Sequence, residues 1–126
     1  MQKEFLNFIN GEYVKGGLGK TFPVIAPATG EQYGVCYEAG KDEVEAAVAA
    51  ARSAVNGPWG KLTIADRTDL IISLADEINA RFDDFLEAEI TDTGKPRSLA
   101  SHIDIPRGAA NFKMFADTIR TISGEV

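Results

Sequence analysis

A chain of 126 residues can form one domain or part of one, and it has no room for two full lobes. With 44% hydrophobic and 25% charged residues, it has the composition of a folded globular protein rather than a disordered one. Thirteen Lys and Arg against nineteen Asp and Glu give a formal charge of −6 with the basic residues scattered singly, which argues against a nucleic-acid surface, since that needs a basic stripe.

The first forty residues read as short strands and turns. Phe5 to Ile9 is apolar-rich, Asn10-Gly11 signals a type I′ hairpin turn, and Glu12 to Val14 is the return strand. A glycine-rich loop, Lys15 to Lys20, leads to a second strand pair, Thr21 to Ala26 and Glu31 to Tyr37, turned by Pro27-Ala28-Thr29-Gly30. From Lys41 the period becomes helical, and Asp42 with Glu45 marks the start. Val44, Ala47, Val48, Ala51 and Val55 form one apolar stripe, which Gly57-Pro58 ends. Thr63 with Asp66 forms a capping box for a second helix, whose stripe is Leu70, Ile71, Leu74, Ala75 and Ile78. A third helix runs through Phe82, Phe85, Leu86 and Ile90 to a stop at Gly94 and Pro96. The last segment, Ser98 to about Ser123, carries Ala109, Phe112, Phe115, Ala116 and Ile119 on one face. Pro106 predicts a kink in it, or two helices joined there. Four amphipathic helices with so few strands can bundle together, or can cover a sheet that the segment does not contain.

No apolar run approaches the ~20 residues of a membrane span, and Met1 to Asn7 has no signal-peptide pattern. One cysteine, Cys36, cannot form an internal disulfide. A reducing cytoplasm is the expected setting. Gly16-Gly17-Leu18-Gly19-Lys20-Thr21 falls short of a phosphate loop, because Val14 stands where the first glycine belongs and a strand follows instead of a helix. Cys36 reads as a packing cysteine within a strand, with no cation placed to activate it. His102 reads as a surface or helix-packing residue. Asp83, Asp84, Glu87 and Glu89 read as a solvated helix face. In Asp92-Thr93-Gly94-Lys95-Pro96, the helix-end carbonyls are available to a cation. Arg107 follows Pro106 among Ile103, Ile105, Ala109 and Ala110. It either meets an anion through its planar fork or is a surface arginine beside a kink.

The order of motifs resembles the N-terminal part of the NAD(P)-dependent aldehyde dehydrogenase superfamily. The motifs are Phe8-Ile9-Asn10-Gly11-Glu12, Thr21-Phe22 to Pro27-Ala28-Thr29-Gly30-Glu31, Val44 to Ala54, Gly57-Pro58-Trp59, Asp92 to Pro96, and Phe115-Ala116. The stretch from Ser98 to Phe112 is similar to the 2-hydroxymuconate and 2-aminomuconate semialdehyde dehydrogenase branch. The resemblance implies an α/β fragment, with β-hairpins over 1–40 and about four amphipathic helices over 41–126 that flank a cofactor-binding lobe. It implies an enzyme that oxidises a carboxylated semialdehyde in aromatic-compound degradation, using NAD, as a homo-oligomer (dimer or tetramer). It also places the catalytic cysteine, the general-base glutamate and the nucleotide-binding strands beyond residue 126, so these residues alone are expected to be inactive.

Two local roles carry over by position. Val24 and Ile25, through carbonyls, and Asp92 match positions that hold a monovalent cation, Na or K. Arg107 matches a position lining the substrate tunnel, suited to the substrate's carboxylate. The alternative is a non-catalytic helical interaction module descended from such an enzyme. A reading frame continuing past Val126 favours the first reading, and a stop codon there favours the second.

Overall fold

The computed structural model describes residues 3–122, and the chain divides into two compact units, 1–61 and 62–126. In the first unit, β1 (Lys3–Phe5), β5 (Gln32–Tyr37) and β4 (Thr21–Ile25) form one sheet in the order β1-β5-β4, while β2 (Asn7–Ile9) and β3 (Glu12–Val14) form a separate hairpin. The hairpin turns at Asn10 and Gly11, whose φ values of 53° and 86° are those a type I′ turn requires. Phe8 faces Tyr13 across it, with ring centroids 4.9 Å apart.

The strand expected over Phe5 to Ile9 is in fact two. The chain leaves one sheet at Phe5 and enters the hairpin at Asn7, so β1 pairs parallel with β5 while β2 pairs with β3. The reason is side-chain packing at Gly34. The Phe5 ring stacks edge-on against Tyr33, and a Cβ on Gly34 would come within 2.5 Å of that ring and 2.8 Å of the Lys3 carbonyl. Only a bare residue admits β1 this closely. Asn7 then ties the hairpin to the sheet, its Nδ2 donating to the Tyr37 carbonyl at 3.3 Å.

Helix α1 (Lys41–Asn56) begins at Gly40, and its N-terminal bond is made by Glu43 rather than by the expected Asp42 and Glu45 pair. The Glu43 carboxylate accepts from Gly40 N–H at 2.7 Å and from Gly17 N–H at 2.8 Å, and so fastens the glycine-rich loop to the helix start. Those two N–H groups, Gly17 first, hold its carboxyl below the usual range. No residue of α1 is buried; Val44, Val48 and Val55 stand exposed. A short helix, α2 (Pro58–Lys61), closes the unit.

In the second unit, α3 (Ile64–Ala80) starts with the expected box: Thr63 Oγ1 accepts from Asp66 N–H at 3.1 Å, and Asp66 accepts from Thr63 N–H at 3.2 Å. Helix α4 (Phe82–Thr93) ends at Gly94, whose φ of 70° is left-handed and whose N–H donates to the Ile90 carbonyl. The final segment is α5 (Arg97–Leu99), a π-turn over Ala100–Asp104, and α6 (Ile105–Thr121); the proposed end near Ser123 lies outside the described residues. Helices α3 and α6 pack through small buried residues, Thr68, Ala75, Ala109 and Ala116, and Arg120 bridges them by donating to Thr68 Oγ1 at 2.6 Å and pairing with Asp69. A second cluster joins Leu86, Ala100 and Ile105, with Ile78, Phe82 and Ile90 against it. The larger apolar side chains of the expected stripes, Leu70, Leu74, Phe112, Phe115 and Ile119, remain exposed.

Candidate functional site

The site residues read from the sequence lie on three elements, one in the first unit and two in the second. Val24 and Ile25 are in β4, where the pairing with β5 shifts register between them: Val24 faces Gly34 and Ile25 faces Gln32. Such an irregularity disrupts the ladder locally. Asp92 is exposed in the last turn of α4, two residues before the left-handed Gly94. Arg107 is exposed in the first turn of α6.

Around Arg107 the backbone departs from a regular helix, and Pro106 is the cause. Proline has no N–H, and its ring collides with the carbonyl four residues earlier, here His102, if the helix is regular. The turn before it widens instead, so that Ile105 N–H reaches back five residues to the Ala100 carbonyl. A kink or a junction of two helices was expected; the chain takes a π-turn and continues. Ala100, wholly buried, and Ile105 anchor the turn against Leu86.

Lys95 holds the same turn from outside. Its Nζ donates to Asp104 Oδ2 at 2.9 Å and to Glu89 Oε1 at 3.2 Å, joining α4, the Gly94–Pro96 loop and the last residue of the π-turn. Both partners, Asp104 foremost, push the Lys95 amine above its ordinary value. Sequence reading missed this triad, because the partners stand six residues before and nine after Lys95. Among the described residues no carboxylate pairs with Arg52, Arg67 or Arg107, whereas Arg81, Arg97 and Arg120 each have one. A Cβ added to the neighbouring Gly108 meets no atom within 4 Å.

The remaining candidates take structural places. His102 is exposed, with Nδ1 2.8 Å from the Ser98 carbonyl. Cys36 is half-buried within β5. Asp84 and Glu87 pair with Arg81 and Arg97, and Asp83 is exposed. Among the described residues, no group of three or more His, Cys, Asp or Glu is arranged to hold a metal ion, and no helix is long and apolar enough to cross a membrane. The glycine-rich loop at Gly16–Gly19 runs into strand β4, which is not the strand-to-helix setting of a dinucleotide site.

The sequence model of the aldehyde dehydrogenase family matches residues 13–126. The chain belongs to the aldehyde dehydrogenase family. It is 55% identical over 123 residues to a 2-hydroxymuconic semialdehyde dehydrogenase of Pseudomonas sp. (strain CF600), covering 98% of this chain and 25% of that protein. It is 46% identical over 119 residues to a 2-aminomuconic 6-semialdehyde dehydrogenase of Pseudomonas sp., covering 94% and 24%. The fold superposes with a TM-score of 0.92, at 40% identity, on the NAD+ complex of an aldehyde dehydrogenase from Bacillus cereus, covering 98% of this chain and 25% of that one. The mixed α/β fold, with its few N-terminal strands and following helices, is thus that of the family. The chain spans about a quarter of the length of the curated relatives it matches.

Proposed function

We propose that these residues are the N-terminal portion of an NAD-dependent dehydrogenase that oxidises a carboxylated semialdehyde, of the 2-hydroxymuconate type, to the acid. They belong to its cofactor-binding lobe, with the catalytic cysteine, the general-base glutamate and the nucleotide-binding strands outside this segment. The likeness to two muconic semialdehyde dehydrogenases over nearly the whole segment supports this reading. The observation that carries it is that likeness, over a segment in which Arg107 stands exposed just past the turn at Pro106 with no carboxylate partner among the described residues. A planar fork of two N–H donors matches a carboxylate bidentately and fixes its orientation.

The described residues do not fit a dinucleotide, so no step through NAD is assigned to them. We also propose, from the resemblance alone, that Val24 and Ile25 offer carbonyl oxygens, and Asp92 a carboxylate oxygen, to a sodium or potassium ion in the enzyme that contains this segment. The test is oxidation by the enzyme containing this segment of a carboxylated semialdehyde and of an uncharged aldehyde of similar length, followed by NAD reduction. The carboxylated substrate is expected to show the higher kcat/KM. Equal or lower kcat/KM for it contradicts the proposal.

A further inference from the structure

A π-turn is rare and has poorer bonding than the α-helix it interrupts, so its persistence needs support from its surroundings. It also has a geometric consequence. One added residue rotates everything after it by about 100° relative to a continuing α-helix, and Arg107 is two residues past Ile105, whose bond closes the turn. The direction in which the guanidinium points therefore depends on whether the turn stays widened.

Three features hold it. Pro106 disfavours a regular helix, Ala100 and Ile105 pack behind the turn against Leu86, and Lys95 grips its last residue, Asp104, while also bonding Glu89 of α4. The two carboxylates, Glu89 at 29% and Asp104 at 27% exposed, are the most covered members of any ion pair among the described residues, and Lys95 is 38% exposed. Among those residues, Lys95 is also the one cation that bridges two carboxylates. A clasp of this kind is held more firmly than a solvated surface pair.

We infer that Lys95 and Asp104 are positioning residues for substrate specificity: their clasp fixes the π-turn so that Arg107 meets the carboxylate of the substrate. The inference rests on the reading of Arg107 given above. Neither residue touches substrate; both act through the backbone that aims Arg107.

The test is a set of variants in the enzyme that contains this segment: Lys95→Met, Lys95→Arg and Asp104→Asn, each alone and combined with Arg107→Ala. Lys95→Met is expected to raise KM for the carboxylated semialdehyde about tenfold with kcat within about twofold, and to change kcat/KM for an uncharged aldehyde by less than about twofold. Lys95→Arg, which keeps the charge, is expected to recover part of the loss. In the Arg107→Ala background Lys95→Met is expected to add nothing, because residues acting through one contact are not additive. Backbone amide exchange over Ser101 to Ile105 is expected to quicken in Lys95→Met and in Asp104→Asn, a readout independent of turnover.

If Arg107→Ala affects charged and uncharged aldehydes alike, the substrate role of Arg107 fails, and the positioning role fails with it. If Arg107→Ala discriminates but the clasp variants leave specificity unchanged, harm both aldehydes equally, or add in full to Arg107→Ala, the positioning role alone is overturned. Unaltered amide exchange in the folded variants overturns it as well.

Discussion

Leu86→Ala tests the account of the second unit most sharply. Leu86 is 3% exposed and is enclosed by Ala100, Ile105, Ile78, Phe82 and Ile90. The substitution removes three carbons, each worth about 0.8 kcal/mol of transfer free energy, so the transfer loss is about 2.4 kcal/mol. An incompletely collapsed cavity adds to this, and about 3–4 kcal/mol in total is expected. A unit of about 65 residues has roughly 3–10 kcal/mol of stability, so the change removes much of it. Leu70→Ala is the matched control. It makes the same chemical change on a side chain that is 51% exposed, where half the transfer term and no closed cavity give about 1 kcal/mol. The assay is urea unfolding of the 126-residue chain, followed by far-ultraviolet circular dichroism with linear extrapolation. Comparable losses for the two variants, or a Leu86→Ala loss below about 1 kcal/mol, would refute the packing described for that cluster.

Three further outcomes are expected. Thr63 holds the Asp66 carboxyl below its ordinary value, chiefly through the Thr63 hydroxyl; the stability this gives is present above the ordinary carboxylate pKa and is lost as pH falls through the folded one. Asp66→Asn is therefore expected to flatten the acid limb of stability below about pH 4, measured by thermal melts across pH. Gly34→Ala is expected to detach β1, because the added Cβ falls within 3 Å of both Phe5 and the Lys3 carbonyl; amide exchange in Lys3 to Phe5 and Gly34 to Cys36 reads this directly. The exposed faces of α1 and α6, with Val44, Val48, Phe115 and Ile119, are expected to bind a hydrophobic dye, and Val48→Glu with Phe115→Glu to reduce it.

What was legible in the sequence was local. Asn10-Gly11 specified its turn, Thr63 and Asp66 their helix start, and Gly94 a helix stop, since each acts on neighbours within a few residues. Pro106 announced an irregularity but not its form, because a kink and a π-turn both satisfy a missing N–H. The choice falls to Ala100, Ile105 and the distant Leu86. The long-range contacts were not legible. Gly34 acquires meaning only beside Phe5, and Glu43 bonds Gly17 from 26 residues away, so the helix start was read at Asp42 and Glu45. Lys95 was read as part of a helix-stop motif, and its grip on Glu89 and Asp104 depends on how the chain returns after Pro96. Arg107 was picked out by its apolar neighbours, yet it is exposed in the first turn of α6, so burial among them is not what sets its role.

The most direct measurement of the central claim is the specificity constant of the Arg107→Ala enzyme for carboxylated and uncharged aldehydes, with Arg107→Lys beside it. A charge-assisted hydrogen bond to the substrate carboxylate is worth roughly 1.5–3 kcal/mol, so kcat/KM for the carboxylated semialdehyde is expected to fall about ten- to a hundredfold. The uncharged aldehyde is expected to lose far less, and lysine to recover only part, since a point charge does not reproduce the fork. Equal losses for both aldehydes would mean that Arg107 supports the turn at Pro106 rather than the substrate, and would contradict the account.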